Sequence, residues 1–193
     1  MRQIWIPKAG PPDVLTVREA PDPQPQAGEV RVRVAYSGVN FADVLARMGL
    51  YPDAPPLPTV VGYEVSGTVE ALGEGVASDW DGARVMVLTR FGGYSDVVCV
   101  STEQVWRLPD TITLENAAAL PVNALTAYQM LVAMGRVNPG DKVLVHGAAG
   151  GVGWIAVQMA QILGATVYGT ASPGKHQDLF QIGVEECLNY RQD

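Results

Sequence analysis

The chain has 193 residues, 13 Lys plus Arg against 20 Asp plus Glu for a net charge of -7, and a 48% share of hydrophobic residues. That apolar share is too high for a disordered chain and supplies a core for one large domain or two small ones. The acidic balance, with no run of Lys or Arg, speaks against a nucleic-acid surface, which neutralises phosphates with clustered cations.

Cys99 and Cys187 lie far apart with no CxxC spacing, so a disulfide scaffold and a four-Cys zinc site are excluded. The opening residues MRQIWIPKAG lack the apolar core of a signal peptide, and no apolar run reaches the length of about 18 residues that a membrane span needs. Nor does the sequence carry an amphipathic basic helix or a lipidation motif. The expectation is a cytoplasmic protein.

Residues 1–110 read as all-β. The stretch Glu29–Val34 alternates apolar and charged residues, as a half-buried strand does. Further strand-like runs follow at Tyr63–Val69, Arg84–Leu88 and Tyr94–Val100, separated by Gly and Pro clusters. Short strands between turn signals predict a small barrel or sandwich. One short helix is predicted over Phe41–Met48, ended by Gly49.

The period then changes. Thr113–Met134 is rich in Ala and Leu, with Thr113 as N-cap and Gly135 as stop. Pro121 inside it predicts two helices or one bent one. Asn138–Asp141 is a turn. Beyond it the pattern is β-α-β-α-β: a buried strand Lys142–His146, a helix Gly151–Leu163 with apolar residues at 152, 155, 159, 162 and 163, a strand Thr166–Thr170, a helix Lys175–Ile182 and a strand Glu186–Tyr190. Such alternation predicts a parallel sheet with right-handed crossovers.

The strongest chemical signal is the run from Gly147 to Gly153, Gly-Ala-Ala-Gly-Gly-Val-Gly, which follows an apolar strand and opens a helix. Its small residues let backbone approach a pyrophosphate, and the helix N-terminus offers free N–H groups and a positive dipole end. In this context the turn reads as dinucleotide binding through Ala149, Gly150, Gly151, Val152 and Gly153. An NAD-preferring site places an acid at the end of the second strand. Here that end reads Gly-Thr-Ala-Ser-Pro-Gly-Lys, without an acid. Ser172 and Lys175 suit a 2′-phosphate instead, which favours NADPH; the alternative is that they cap a helix.

With these residues in view, the chain resembles the medium-chain dehydrogenase/reductases, in particular the zinc-free quinone oxidoreductase (zeta-crystallin-like) branch with the relatives of the synaptic vesicle membrane transport protein. The resemblance rests on residues 37–43 (Ser-Gly-Val-Asn-Phe-Ala-Asp), 49–52 (Gly-Leu-Tyr-Pro), 61–67 (Val-Gly-Tyr-Glu-Val-Ser-Gly), 120–128 and the glycine turn. It implies a GroES-like β-barrel domain, residues 1–120, followed by a half-Rossmann βαβαβ sheet, residues 121–193: an α/β chain with an all-β part. It implies zinc independence, since Val39 and Tyr63 stand where zinc-dependent members carry Cys and His. The two histidines, His146 and His176, are isolated in sequence, and no metal site is expected.

The implied reaction is NADPH-dependent reduction of a quinone or an α,β-unsaturated carbonyl by hydride transfer. Asn40 resembles the family Asn beside nicotinamide and substrate. Tyr51 matches the tyrosine that related enoyl reductases use as proton donor. Thr126 resembles a cofactor contact, and Tyr190 the tyrosine on the 2′-phosphate side. Each has a plainer alternative: Asn40 as a helix cap, Tyr51 as turn packing. Only one mononucleotide-binding half follows Lys142, so in the order 3-2-1-4-5-6 the first strand is left as an open edge. A homo-oligomer covering that edge is expected. The competing reading is a catalytically incompetent, truncated family member acting as a nucleotide-binding or interaction protein. Trp154, bulkier than the family residue, either packs or obstructs the helix–sheet approach.

Overall fold

The computed structural model describes residues 1–192, so Asp193, the end of the expected 121–193 unit, lies outside the described residues. Two compact units divide the chain, Met1–Val122 and Asn123–Asp193.

The first unit is antiparallel. Strands β1 (Arg2–Trp5) and β2 (Thr16–Glu19) form a two-stranded ribbon. A five-stranded sheet runs β6 (Val97–Ser101), β3 (Glu29–Ser37), β4 (Glu64–Leu72), β5 (Arg84–Leu88) and β7 (Val105–Arg107). Among the described residues β6 and β7 end the sheet rather than pair with each other, so the expected barrel is an open half-barrel. Its core is almost wholly valine: Val30 and Val32 of β3, Val65 and Val69 of β4, Val85 and Val87 of β5. Alternation explains β3, whose Arg31 and Arg33 point away from that core and share the carboxylate of Glu70 on β4, each at 2.9 Å.

Helix α1 (Phe41–Arg47) ends at Gly49, whose φ of 72° needs a glycine. It covers a second small core of Ile6, Ala46 and Val61, flanked by Tyr51, Phe91 and Tyr94. Short helix α2 (Leu114–Ala117) begins where Thr113 accepts a hydrogen bond from the Asn116 amide at 3.2 Å. Pro121 then opens a separate helix, α3 (Pro121–Tyr128), at the one helical position that loses nothing to a missing N–H. A π-helical turn, Gln129–Met134, follows and closes with the Gly135 amide on the Met130 carbonyl at 2.9 Å.

In the second unit β8 (Lys142–Val145), α4 (Gly151–Ile162), β9 (Thr166–Thr170), α5 (His176–Gln181) and β10 (Glu186–Leu188) build a parallel sheet in the order β10-β9-β8. Two expectations need correction. Strand β8 is not buried: among the described residues it ends the sheet, as the open-edge expectation has it, and Leu144 is 48% exposed. On α4 the fully buried positions are Gly153, Ala156, Val157 and Ala160; Val152, Ile155, Met159 and Leu163 of the expected apolar set pack half-buried against the same core, and Ile162 of that set is 86% exposed. Apart from Gln158 and Gln161 the helix is apolar, so hydrophobic period selects only a broad face, and the small residues at its centre bring the helix closest to the sheet. Trp154 is half-buried against the same core and leaves that approach intact.

Candidate functional site

The glycine turn joins β8 to α4. Gly147 adopts a φ of 64°, and its amide donates to Thr170 Oγ1 at 3.1 Å. The Ala148 amide donates to the Thr170 carbonyl at 3.0 Å, and the Gly150 amide to the Gly147 carbonyl at 2.8 Å. These bonds hold the turn on the end of β9. A Cβ at Gly153 would lie 2.8 Å from Ala148 Cα and closer still to the Gly147 carbonyl oxygen. Glycine is therefore required there for the first turn of α4 to seat on the loop. The first α-helical bond runs from the Trp154 amide to Gly150, so the amides of residues 151–153 sit at the open, positive end of the helix. Ala149, Gly150, Gly151, Val152 and Gly153 are thus gathered into one backbone cradle.

Beyond β9, Ser172 precedes a 3-10 turn, Pro173–Lys175, and its side chain makes no capping bond; the capping alternative for Ser172 does not hold. Lys175 is exposed and precedes α5, whose start is fixed instead by His176 Nε2 at 3.0 Å from the Ala171 carbonyl. Because β9 and β10 are parallel, Tyr190 emerges at the same sheet end as Ser172. Tyr190 is exposed, with the Arg191 guanidinium 5.6 Å from its ring centre. Arg191 escaped the sequence reading; its signal is adjacency to Tyr190 at the end of a third parallel strand. Thr126 sits half-buried on α3.

The first unit holds Asn40 and Tyr51. The Asn40 amide donates to Asp43 Oδ2 at 2.9 Å in a capping box that starts α1, and Asp43 Oδ1 accepts from the Gly62 amide at 3.0 Å. Asn40 Nδ2 donates to Glu64 Oε1 at 2.9 Å. Asn40 is therefore a cap, and its side chain is also held by a buried acid that the sequence reading did not single out. Burial pushes the carboxyls of Asp43 and Glu64 above their usual range, against the pull of these hydrogen bonds. Tyr51 packs edge-on to Tyr63 with ring centres 6.2 Å apart, and Tyr63 lies tilted against Phe91 with ring centres 5.2 Å apart. The buried Tyr63 phenol is raised well above its usual value, so it stays protonated. Exposed Val39, Phe41 and Leu50 give the segments around Asn40 and Tyr51 an apolar surface. Among the described residues no group of three or more His, Cys, Asp or Glu could hold a metal ion, and His146 sits 3.4 Å from Thr170 Oγ1.

Comparison with known proteins fits this geometry. Residues 26–110 match the alcohol dehydrogenase GroES-like domain. The human synaptic vesicle membrane protein VAT-1 homolog is 46% identical over 177 residues, covering 91% of this chain and 45% of that protein. The chain thus spans under half the length of that curated relative. Among solved structures, Escherichia coli quinone oxidoreductase complexed with NADPH superposes with a TM-score of 0.92 at 36% identity, over 100% of this chain and 60% of that one. The CurK enoyl reductase gives 0.93 at 34% identity, over 99% and 60%. No helix among the described residues is long and apolar enough to cross a membrane.

Proposed function

Since the chain belongs to the medium-chain dehydrogenase/reductases, in their quinone oxidoreductase branch, we propose that it serves the NADPH-dependent, zinc-independent reduction of a quinone or an α,β-unsaturated carbonyl. The observation that carries the reading is the glycine cradle. Its required glycine at 153 lets the amides of residues 151–153 face a pyrophosphate. Both solved neighbours are named as reductases of these classes, one of them in complex with NADPH.

Choice of NADPH rests on the end of β9, where no acid stands to accept from a ribose 2′-hydroxyl. Ser172, Lys175 and Tyr190 are the proposed contacts to the 2′-phosphate, and Arg191, beside the Tyr190 ring, adds a cation. Bound NADPH would supply the hydride; the substrate oxygen or α-carbon then needs a proton. Tyr51 is the proposed donor, through its phenolic O–H. Asn40 is the proposed contact to nicotinamide and substrate, and Thr126 a cofactor contact. A cytoplasmic setting belongs to the same reading. So does a second copy of the chain covering β8, whose edge groups and exposed Leu144 are open to pairing.

A second reading, nucleotide binding without turnover, is favoured by Asn40, whose side chain is committed to the fold at Glu64. Calorimetric titration with NADPH and NADH, followed by NADPH oxidation with an ortho-quinone acceptor, separates the two. Tighter NADPH binding with turnover supports the reductase. Binding without turnover leaves the second reading, and no binding by the folded chain refutes both. Light scattering at high concentration that reports a monomer overturns the covered edge.

A further inference from the structure

Glu64 is 1% exposed, and two N–H donors from different elements converge on it. Oε1 accepts from Asn40 Nδ2 at 2.9 Å, and Oε2 accepts from the Val122 amide at 2.8 Å. Val122 is the second residue of α3. Pro121 before it has no N–H, so the Val122 amide is the first donor that helix offers, and no intrahelical acceptor is available to it. A carboxylate at this end also opposes the helix dipole favourably.

Room for the carboxyl is made by Gly38. A Cβ there would fall inside contact distance of Glu64 Oε1 and of the Ala118 carbonyl oxygen, and 2.5 Å from Glu64 Cγ. A buried acid is a costly way to fill space, since desolvation opposes its charge. Stability alone favours an apolar residue or a glutamine at this position. Glutamine, however, brings one acceptor oxygen, and its amide nitrogen would face the second N–H donor. Only a carboxylate satisfies both donors at once.

We propose that Glu64 is a positioning residue, which fixes the side chain of Asn40 and the first turn of α3 together through its two oxygens. The inference rests on the reading of Asn40 as a contact to nicotinamide and substrate. The capping box holds one end of the Asn40 side chain, and the bond from Nδ2 to Oε1 holds the other and locks the amide plane, as precise placement of a reacting partner requires.

The test uses the full chain, with two readouts. In the amide NMR spectrum of the unaltered protein, the Val122 backbone amide and the Asn40 side-chain amide should titrate together, with one midpoint, as Glu64 takes up a proton. The Gly62 amide reports Asp43, the other acid nearby, whose carboxyl also faces the Tyr94 hydroxyl, and should follow a separate midpoint. Val122 and Asn40 signals that move independently overturn the proposal. No variant is needed for this arm, so a folding defect cannot hide the answer.

In the second arm, Glu64→Gln and Asn40→Ala should each lower kcat for the ortho-quinone about tenfold, the equivalent of one hydrogen bond's worth of orientation. The double variant should lose no more than either single one, because both remove the same placement. Additive losses, or a Glu64→Gln protein with full turnover, overturn the proposal. If the unaltered chain turns nothing over, the reductase reading falls, and the common midpoint still decides whether Glu64 holds both groups.

Discussion

Gly153→Ala is the sharpest perturbation the structure offers. The new Cβ would sit 2.8 Å from Ala148 Cα, 2.9 Å from Ala148 C, and nearer still to the Gly147 carbonyl oxygen. All three are backbone atoms of the turn, so no side chain can swing aside; α4 must lift or the turn must open. Overpacking of this kind costs about 1–3 kcal/mol. Against it stands a helix-propensity gain of at most about 1 kcal/mol, smaller in a first turn than in a helix interior. A net loss of about 1–2 kcal/mol lowers Tm by about 2–8 °C in a chain of this size. The same lift moves the amides of residues 151–153 away from a bound pyrophosphate, and about 1.4 kcal/mol there is a tenfold weaker NADPH affinity. Gly174→Ala is the matched control, since its Cβ meets nothing within 4 Å and its φ is not positive. It should leave binding alone and either leave Tm unchanged or raise it slightly. Differential scanning calorimetry and NADPH titration of both variants decide the matter. A Gly153→Ala protein with unchanged Tm and unchanged affinity would refute the close-packing argument and the cradle with it.

Four further outcomes are expected. Leu179→Ala, at a fully buried site in the second unit, should cost about 2–5 kcal/mol in urea denaturation, since it opens a cavity in the core. Lys175→Ala should weaken NADPH binding about tenfold and leave NADH unchanged, because only the 2′-phosphate calls on that charge; equal losses for both cofactors would remove Lys175 from the 2′ side. Tyr51→Phe should hold NADPH affinity and lower turnover about 10²-fold, and unchanged turnover would assign the proton to water. For Asp43, burial raises the folded-state value above the unfolded one, so the folded protein binds more protons in that window. Its favourable contribution is full below the ordinary carboxylate value and is lost as pH rises through the raised one. The stability of unaltered protein relative to Asp43→Asn should therefore fall with rising pH, and a rise would reverse the assignment.

The parts of this chain that were legible in sequence are those decided locally. Strands Arg84–Leu88 and Thr166–Thr170 were expected with the bounds they have, because β-branched residues there run between turn signals. Pro121 marked a helix start for a covalent reason, its absent N–H. Barrel closure was not local: whether β6 meets β7 depends on pairings across the whole sheet, and they do not meet among the described residues. The fully buried centre of the α4 face was less legible, since Gly153, Ala156 and Ala160 weigh little in a hydrophobic period, whereas Ile155 and Met159 of that period do pack against the core.

Glu64 illustrates the same divide within the candidate site. It stands inside the Gly-Tyr-Glu segment that carries the family resemblance, yet a single acid at a strand start reads as a solvated residue. Its donors come from 24 and 58 positions away, a separation no period can register. What marks it is the company it keeps: a glycine at 38, where a Cβ would collide with it, an asparagine whose cap does not exhaust its amide, and a helix that opens on proline and so offers its first N–H at Val122. Each of these three residues has an ordinary local explanation. Only together do they require a carboxylate at 64, which is why the cradle at Gly147–Gly153 could be read from the chain and this second constellation could not.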